Sequence, residues 1–166
     1  ACLDEIRFDI GATAYSLNRV ALAKDIFKTV TIEIPAIPEE KDRIIALLPL
    51  MVKEGVHKLN LHQLRLTQHN ASNLINRGYT IINAEKPLVL ESELAALEIM
   101  CAAKQQEMDI GVNYCSFHFK NRFQKAGFRK IVSNRISPNS ILTGNGYIRE
   151  YDGISLRYKT ISLSRE

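Results

Sequence analysis

Cysteine is scarce in this chain: Cys2, Cys101 and Cys115 are an odd number at wide spacing. That argues against a disulfide framework and suits a reducing compartment, so a cytoplasmic location is expected. The sequence has no apolar run near the roughly 20 residues that a bilayer-spanning helix needs, and no charged-then-apolar leader. Neither membrane insertion nor secretion is expected. It has no CxxC pair and no HExxH helix, which leaves a metal site built from protein side chains alone without a motif. It has no G-x-S-x-G elbow for serine chemistry, and no glycine-rich loop after a strand to cradle phosphate. Long linkers, low-complexity tracts and fixed-period repeats are also missing, so a second independent domain is not expected. The chain opens at Ala1-Cys2-Leu3-Asp4 without an initiator methionine, and reads as a piece of a larger enzyme.

What is present is an ordinary core-forming composition. With 166 residues, 46% of them hydrophobic, the chain can bury roughly two-thirds of its unfolded surface. Its formal charge of +4 comes mostly from one stretch, Lys120, Arg122, Lys125, Arg129, Lys130 and Arg135, which contains no acid. Attraction for an anion is therefore local.

Strand-like and helix-like stretches alternate. Glu5 to Ile10 has period two and ends at Gly11; Ser16 offers a cap for a helix over Leu17 to Phe27. Lys28 to Ile34 is β-branched, and Pro38-Glu39-Glu40 starts a helix with an inner stripe of Ile44, Leu47, Leu48, Met51 and Val52, kinked at Pro49 and stopped by Gly55. His57 to Leu66 reads as a third strand, Thr67 as the cap of a short helix ended by Gly78, and Tyr79 to Asn83 as a fourth strand. Ser92 is placed as the cap of a long helix with Leu94, Leu97, Met100 and Cys101 on one side, and Val112 to Phe119 as a fifth strand. Asn145-Gly146 and Asp152-Gly153 are hairpin signals between β-rich runs over 140–143, 147–151 and 154–163. The expected fold is α/β: part of a TIM-like (βα) barrel with parallel strands over residues 1–135, and a small antiparallel β appendage over residues 136–166.

The strand ends are polar. Arg7, Asp9, Glu33, Asn60, His62, Asn113 and Cys115 fall where a βα protein builds its chemistry. Asp9 and Glu33 can accept hydrogen bonds from hydroxyl or ammonium groups, and Arg7 or His62 can donate to a carboxylate. Ordinary strand-end residues can also bond loops or one another, so the set carries the argument and no single member does. Cys115 and His118, three apart on one strand, would point to opposite faces and not share an ion; His57 and His69 read as solvated. Cys115 reads as a small buried apolar residue. The basic stretch admits an RNA-binding reading through Phe123 and Phe128. The preferred reading is an amphipathic helix, Asn121 to Ala126, stopped by Gly127, with its phenylalanines in the core and its charges solvated.

Leu3-Asp4-Glu5-Ile6-Arg7-Phe8, Thr31-Ile32-Glu33-Ile34-Pro35-Ala36-Ile37-Pro38 and Lys58-Leu59-Asn60-Leu61-His62-Gln63-Leu64, in this order, resemble the later strands of radical S-adenosylmethionine enzymes of the pyruvate formate-lyase activating enzyme-like kind. Val112-Asn113-Tyr114-Cys115-Ser116 and the basic run extend the resemblance over about residues 3 to 135. The resemblance implies a partial barrel that binds S-adenosylmethionine and a 4Fe–4S cluster, and that generates a 5′-deoxyadenosyl radical. By the same resemblance Arg7 and Asp9 lie near the ribose or methionine groups, and Glu33, Ile34 and Pro35 approach the adenosine. Asn60, His62 and Gln63 close the pocket, and Asn113 and Cys115 lie toward substrate. The CxxxCxxC cluster loop of that family is not in this sequence. The chain is therefore expected to be the carboxyl-terminal part of such an enzyme, inactive by itself, with an open sheet edge through which it can form a homodimer. A different TIM-barrel enzyme, such as a metal-dependent aldolase using Asp9, Glu33 and His62, is the alternative.

Overall fold

The computed structural model describes residues 3–83, 86–136, 141–151 and 156–159. The chain divides into two compact units, Ala1–Phe117 and His118–Glu166.

Unit 1 is built on a four-stranded parallel sheet of β1 (Glu5–Phe8), β2 (Thr29–Pro35), β3 (Lys58–His62) and β6 (Gly111–Cys115), in that spatial order. The period-two pattern decides the faces. Ile6 and Phe8, Val30, Ile32 and Ile34, Leu59 and Leu61, and Val112 and Tyr114 all join one apolar cluster. The same cluster takes Val20 from α1 (Asn18–Ala21), Ile44, Leu48 and Met51 from α2 (Lys41–Lys53), and Ala96, Ile99 and Ala103 from α4 (Leu90–Gln105). These three helices thus cover the same face of the sheet. The intervening residues Arg7, Glu33, Asn60, His62 and Asn113 are left on the opposite face.

Several expected elements are shorter or turned. The helix over 17–27 is reduced to α1 followed by turns, and Ser16 accepts only a 3.4 Å hydrogen bond from the Asn18 amide. The expected third strand ends at His62: the Gln63 amide makes a last, 3.4 Å bond to the Cys115 carbonyl, and the Leu64 amide turns to the Ser92 hydroxyl. α3 (Ala71–Asn76) starts after Asn70, whose side chain and that of Thr67 exchange hydrogen bonds with each other's amides. β4 (Ile81–Ile82) is not part of the parallel sheet; it pairs antiparallel with β5 (Leu88–Val89). α2 runs on through Pro49, and Gly55, at φ +79°, follows its end.

The face of α4 is displaced from the expected one. Ser92, Ala95, Ala96, Ile99 and Ala103 are buried, whereas Leu94, Leu97 and Cys101 are exposed. Small side chains let this helix lie close against α2 and β6, so burial follows closeness of approach and not residue hydrophobicity. Ser92 caps nothing. It is fully buried inside the helix, donating its hydroxyl to the Ala36 carbonyl at 2.7 Å and accepting from the Leu64 amide at 2.9 Å. It ties the loop after β2 to the loop after β3.

The strand expected to reach Phe119 ends instead at Cys115, and the chain enters the helix that leads into unit 2. α5 (Phe117–Phe119), a π-helical turn (Lys120–Gln124) and α6 (Lys125–Ile136) follow without a break. Gly127 does not stop this helix but lies inside it. β7 (Ile141–Leu142), β8 (Ile148–Tyr151) and β9 (Leu156–Lys159) form the expected antiparallel sheet. Asn145-Gly146 makes its first turn, with Gly146 at φ +80°; Asp152-Gly153 lies outside the described residues.

The sequence expectation for the basic helix is inverted. Phe119, Phe123 and Phe128 are half or more exposed, while Arg129 is only 8% exposed. Its guanidinium donates to the carbonyls of Asn145 and Asn121 and stacks 4.8 Å from the Tyr147 ring. A Cβ at Gly146 would lie 2.8 Å from the Arg129 Cβ, so only glycine allows the turn to approach this closely. Ser133 completes the clamp by donating to the Gly146 carbonyl.

Candidate functional site

The face of the four-stranded sheet opposite α1, α2 and α4, which those three helices leave uncovered, carries one connected hydrogen-bond network. Parallel register sets Glu33 beside Asn60 and Asn60 beside Asn113, and sets Pro35, His62 and Cys115 in the next row. Asn113 donates to Asn60 Oδ1 at 2.6 Å, and Asn60 donates to Glu33 Oε1 at 3.4 Å. His62 Nε2 is 2.5 Å from the same Glu33 oxygen, and Arg7 reaches Glu33 Oε2 at 3.5 Å. Arg7 also donates to Glu5 at 3.2 Å, and Glu5 accepts from the Thr31 hydroxyl at 2.7 Å. Every strand of the sheet contributes at least one member.

Glu33 is the hub. Partial burial pushes its carboxyl up, but the His62 hydrogen bond and charge, together with Arg7, outweigh this and hold it below the ordinary glutamate value. Because an ionised carboxylate only accepts, His62 Nε2 carries the proton in this contact. Glu5 is held low first by the Thr31 hydroxyl and then by Arg7, and Arg7 is raised first by its bond to Glu5. The network is open to solvent through a cleft of about 370 Å³ lined by Arg7, Phe8, Asp9, Glu33, Pro35 and His62. Asp9 and Pro35 also line an adjoining cleft of about 400 Å³, with Tyr15, Glu39, Glu40 and Arg77 among its other walls. Arg77 lies 3.4 Å from Glu39, which also accepts a hydrogen bond from the Tyr79 hydroxyl. Such a rim combines carboxylates, amides, an imidazole and a guanidinium, and so can bind hydroxyl, ammonium or carboxylate groups.

Of the residues singled out from sequence, Arg7, Glu33, Asn60, His62 and Asn113 are brought together. Asp9 stays at the rim, where its Oδ1 accepts the Gly11 amide at 3.0 Å. Pro35 lines both clefts. Ile34 sends its side chain into the core on the covered face, so only its backbone is available to the site. Gln63 braces loops, accepting from the Phe117 amide and donating to Glu93. Cys115 is buried across from His62. His57 is exposed, yet its Nδ1 accepts the Val30 amide at 3.1 Å. Cys115 and His118 do not share a strand, because β6 stops at Cys115 and His118 lies in α5.

Two members of the network, Glu5 and Thr31, were not anticipated. The alternation that placed Arg7 and Glu33 on one face also places Glu5 and Thr31 there, so the signal was available. Among the described residues no group of three His, Cys, Asp or Glu is placed to hold a metal ion. Among the same residues no helix is long and apolar enough to cross a membrane.

No protein-family model matches the chain, and no solved structure matches it. It is 26% identical, over 163 aligned residues, to a protein of Methanocaldococcus jannaschii assigned by name to the glycyl-radical enzyme activating enzymes. The match covers 89% of this chain, and the chain spans 41% of the relative's length.

Proposed function

We propose that the chain is the carboxyl-terminal part of a radical S-adenosylmethionine enzyme, pyruvate formate-lyase activating enzyme-like in its later strands, and that its uncovered sheet face holds the cofactor. One observation carries this reading: a parallel sheet in sequential order β1-β2-β3-β6 whose uncovered face is a single network centred on Glu33. Sequential order with α1, α2 and α4, one helix from each crossover, on one face resembles the construction of a barrel wall, whereas a doubly wound sheet has helices on both faces. The similarity to an archaeal protein named as an activating enzyme supports the family.

The polar face fits the organic cofactor. Glu33 accepts from ribose hydroxyls or the methionine ammonium, Arg7 and Asp9 lie beside the same groups, and Pro35 with the Ile34 backbone borders the adenosine. Asn60, His62 and Gln63 close the pocket, and Asn113 and Cys115 lie toward substrate. His62 and Arg7 hold Glu33 ionised, so that it serves as an acceptor and does not titrate near neutral pH.

The described residues do not fit the iron–sulfur cluster. Cys101 is exposed on α4 and Cys115 is alone on β6, so in this reading the cluster ligands belong to sequence outside this chain. A cluster held there would supply reducing electrons to the cofactor pocket. The 166-residue chain alone therefore performs no reductive cleavage. The outer edge of β1 receives a preceding strand in a longer chain, and in this chain alone it can pair two copies.

The test is to express the chain with its natural upstream sequence, reconstitute it anaerobically with iron and sulfide, and record electron paramagnetic resonance spectra with and without S-adenosylmethionine. The expected result is a cluster signal that shifts on adding the cofactor, and a weaker shift in Glu33→Gln. Absence of a cluster from the longer protein would sink the reading.

A further inference from the structure

The basic helix of unit 2 presents a surface that the reading above does not use. No aspartate or glutamate lies between Asp109 and Glu150, and residues 118–166 hold ten Lys and Arg against three Asp and Glu. Phe123 and Phe128 are 55% and 58% exposed. The π-helical turn brings the rings of Phe119 and Phe123 to 5.2 Å between centroids, and the Arg122 guanidinium lies 5.7 Å from the Phe123 ring. Turns of this kind recur at functional sites because they re-aim side chains.

We infer that the exposed face of the helix running from Phe117 through Ile136 binds single-stranded nucleic acid, with Phe123 and Phe128 stacking on bases and Arg122, Lys130 and Arg135 contacting phosphates. The charge of this unit is complementary to a polyanion, and rings among cations form the platform that single strands use without sequence preference. An acidic protein groove fits less well. A helix docked in such a groove presents an uninterrupted apolar stripe at i, i+3 and i+7, and here the stripe begun by Phe128 and Ile131 is broken by Arg135. The face is held in place from behind: Arg129 and Ser133 fasten the helix to the Asn145-Gly146 turn, so the exposed rings need not order on binding. This inference does not depend on the cofactor reading.

Fluorescence anisotropy of the full 166-residue chain with a labelled 12-nucleotide oligouridylate tests it. With these three cations on phosphates, the affinity falls about 20-fold between 50 and 200 mM salt. Phe123→Ala and Phe128→Ala each weaken binding by roughly tenfold at fixed salt and leave the salt slope unchanged. Lys130→Gln with Arg135→Gln lowers that slope by about 1.4. All four positions are exposed, and circular dichroism confirms that the variants fold. Affinity that ignores both phenylalanine changes, or equally tight binding of a polyglutamate of matched charge, overturns the inference in favour of a general polyanion or acidic-protein surface.

Discussion

The two units of this chain stabilise themselves differently. Unit 1 buries aliphatic side chains from alternate strand positions and from three helices in one cluster, and it ties the charges left on the open sheet face into a network around Glu33. Among its described residues unit 2 buries few large apolar side chains, Ile148 among them, and turns Phe119, Phe123, Phe128 and Ile131 outward. A buried arginine, a serine and a glycine do the fastening. A small unit cannot bury enough apolar surface to rely on it alone, so directional bonds take a larger share. Their charges differ as well: unit 1 holds twelve Lys and Arg against fifteen Asp and Glu, and unit 2 holds ten against three.

The largest expected effect separates the two kinds of core. Ile32 is fully buried at the centre of the unit 1 cluster, so Ile32→Ala costs about 3 kcal/mol. Urea unfolding monitored by hydrogen exchange should show this loss in β2 and β3 amides while α6 amides keep their protection; equal loss in both would mean that the units unfold as one.

The counterpart in unit 2 is Gly146→Ala. A positive φ and a Cβ 2.8 Å from the Lys130 backbone nitrogen make this cost about 2 kcal/mol. Thermal unfolding followed at unit 2 amides reads it, and a neutral result would show that Arg129 does not depend on this close approach.

Glu33→Gln weakens unit 1 by about 1 kcal/mol at neutral pH. The sign follows from the lowered carboxyl: its stabilisation is complete above the unfolded glutamate value of about 4.3 and is lost as pH falls through the folded value. The variant should therefore flatten the acid limb of stability against pH, and an unchanged acid limb would remove Glu33 as the hub.

The smallest effect has the opposite sign. Gly127 lies within α6 with no heavy atom near its missing Cβ, so Gly127→Ala stabilises unit 2 by about 0.5–1 kcal/mol. If the helix stopped at Gly127, as its composition suggests, alanine would bring no gain in melting temperature.

The candidate site was largely legible from the chain. Period two in Glu5–Phe8, Thr29–Pro35, Lys58–His62 and Gly111–Cys115 assigns Arg7, Glu33, Asn60, His62 and Asn113 to one face without coordinates. The places of Asp9 and Gln63 were not legible, because both bond loop amides whose approach no local pattern encodes. Ser92 looked like a cap because a hydroxyl near a helix start usually is one, yet loops from two strands close over it.

The sequence by itself determined the strand faces, the order of βα units and the hairpin turn at Asn145-Gly146, since these depend on neighbours in the chain and on allowed backbone angles. Tertiary structure decided which face of α4 is buried, whether Gly127 ends a helix, and that Arg129 goes inside while the phenylalanines stay out. Each of those depends on the closeness of another element, and a buried guanidinium is tolerated only where distant carbonyls and a ring are already placed to receive it.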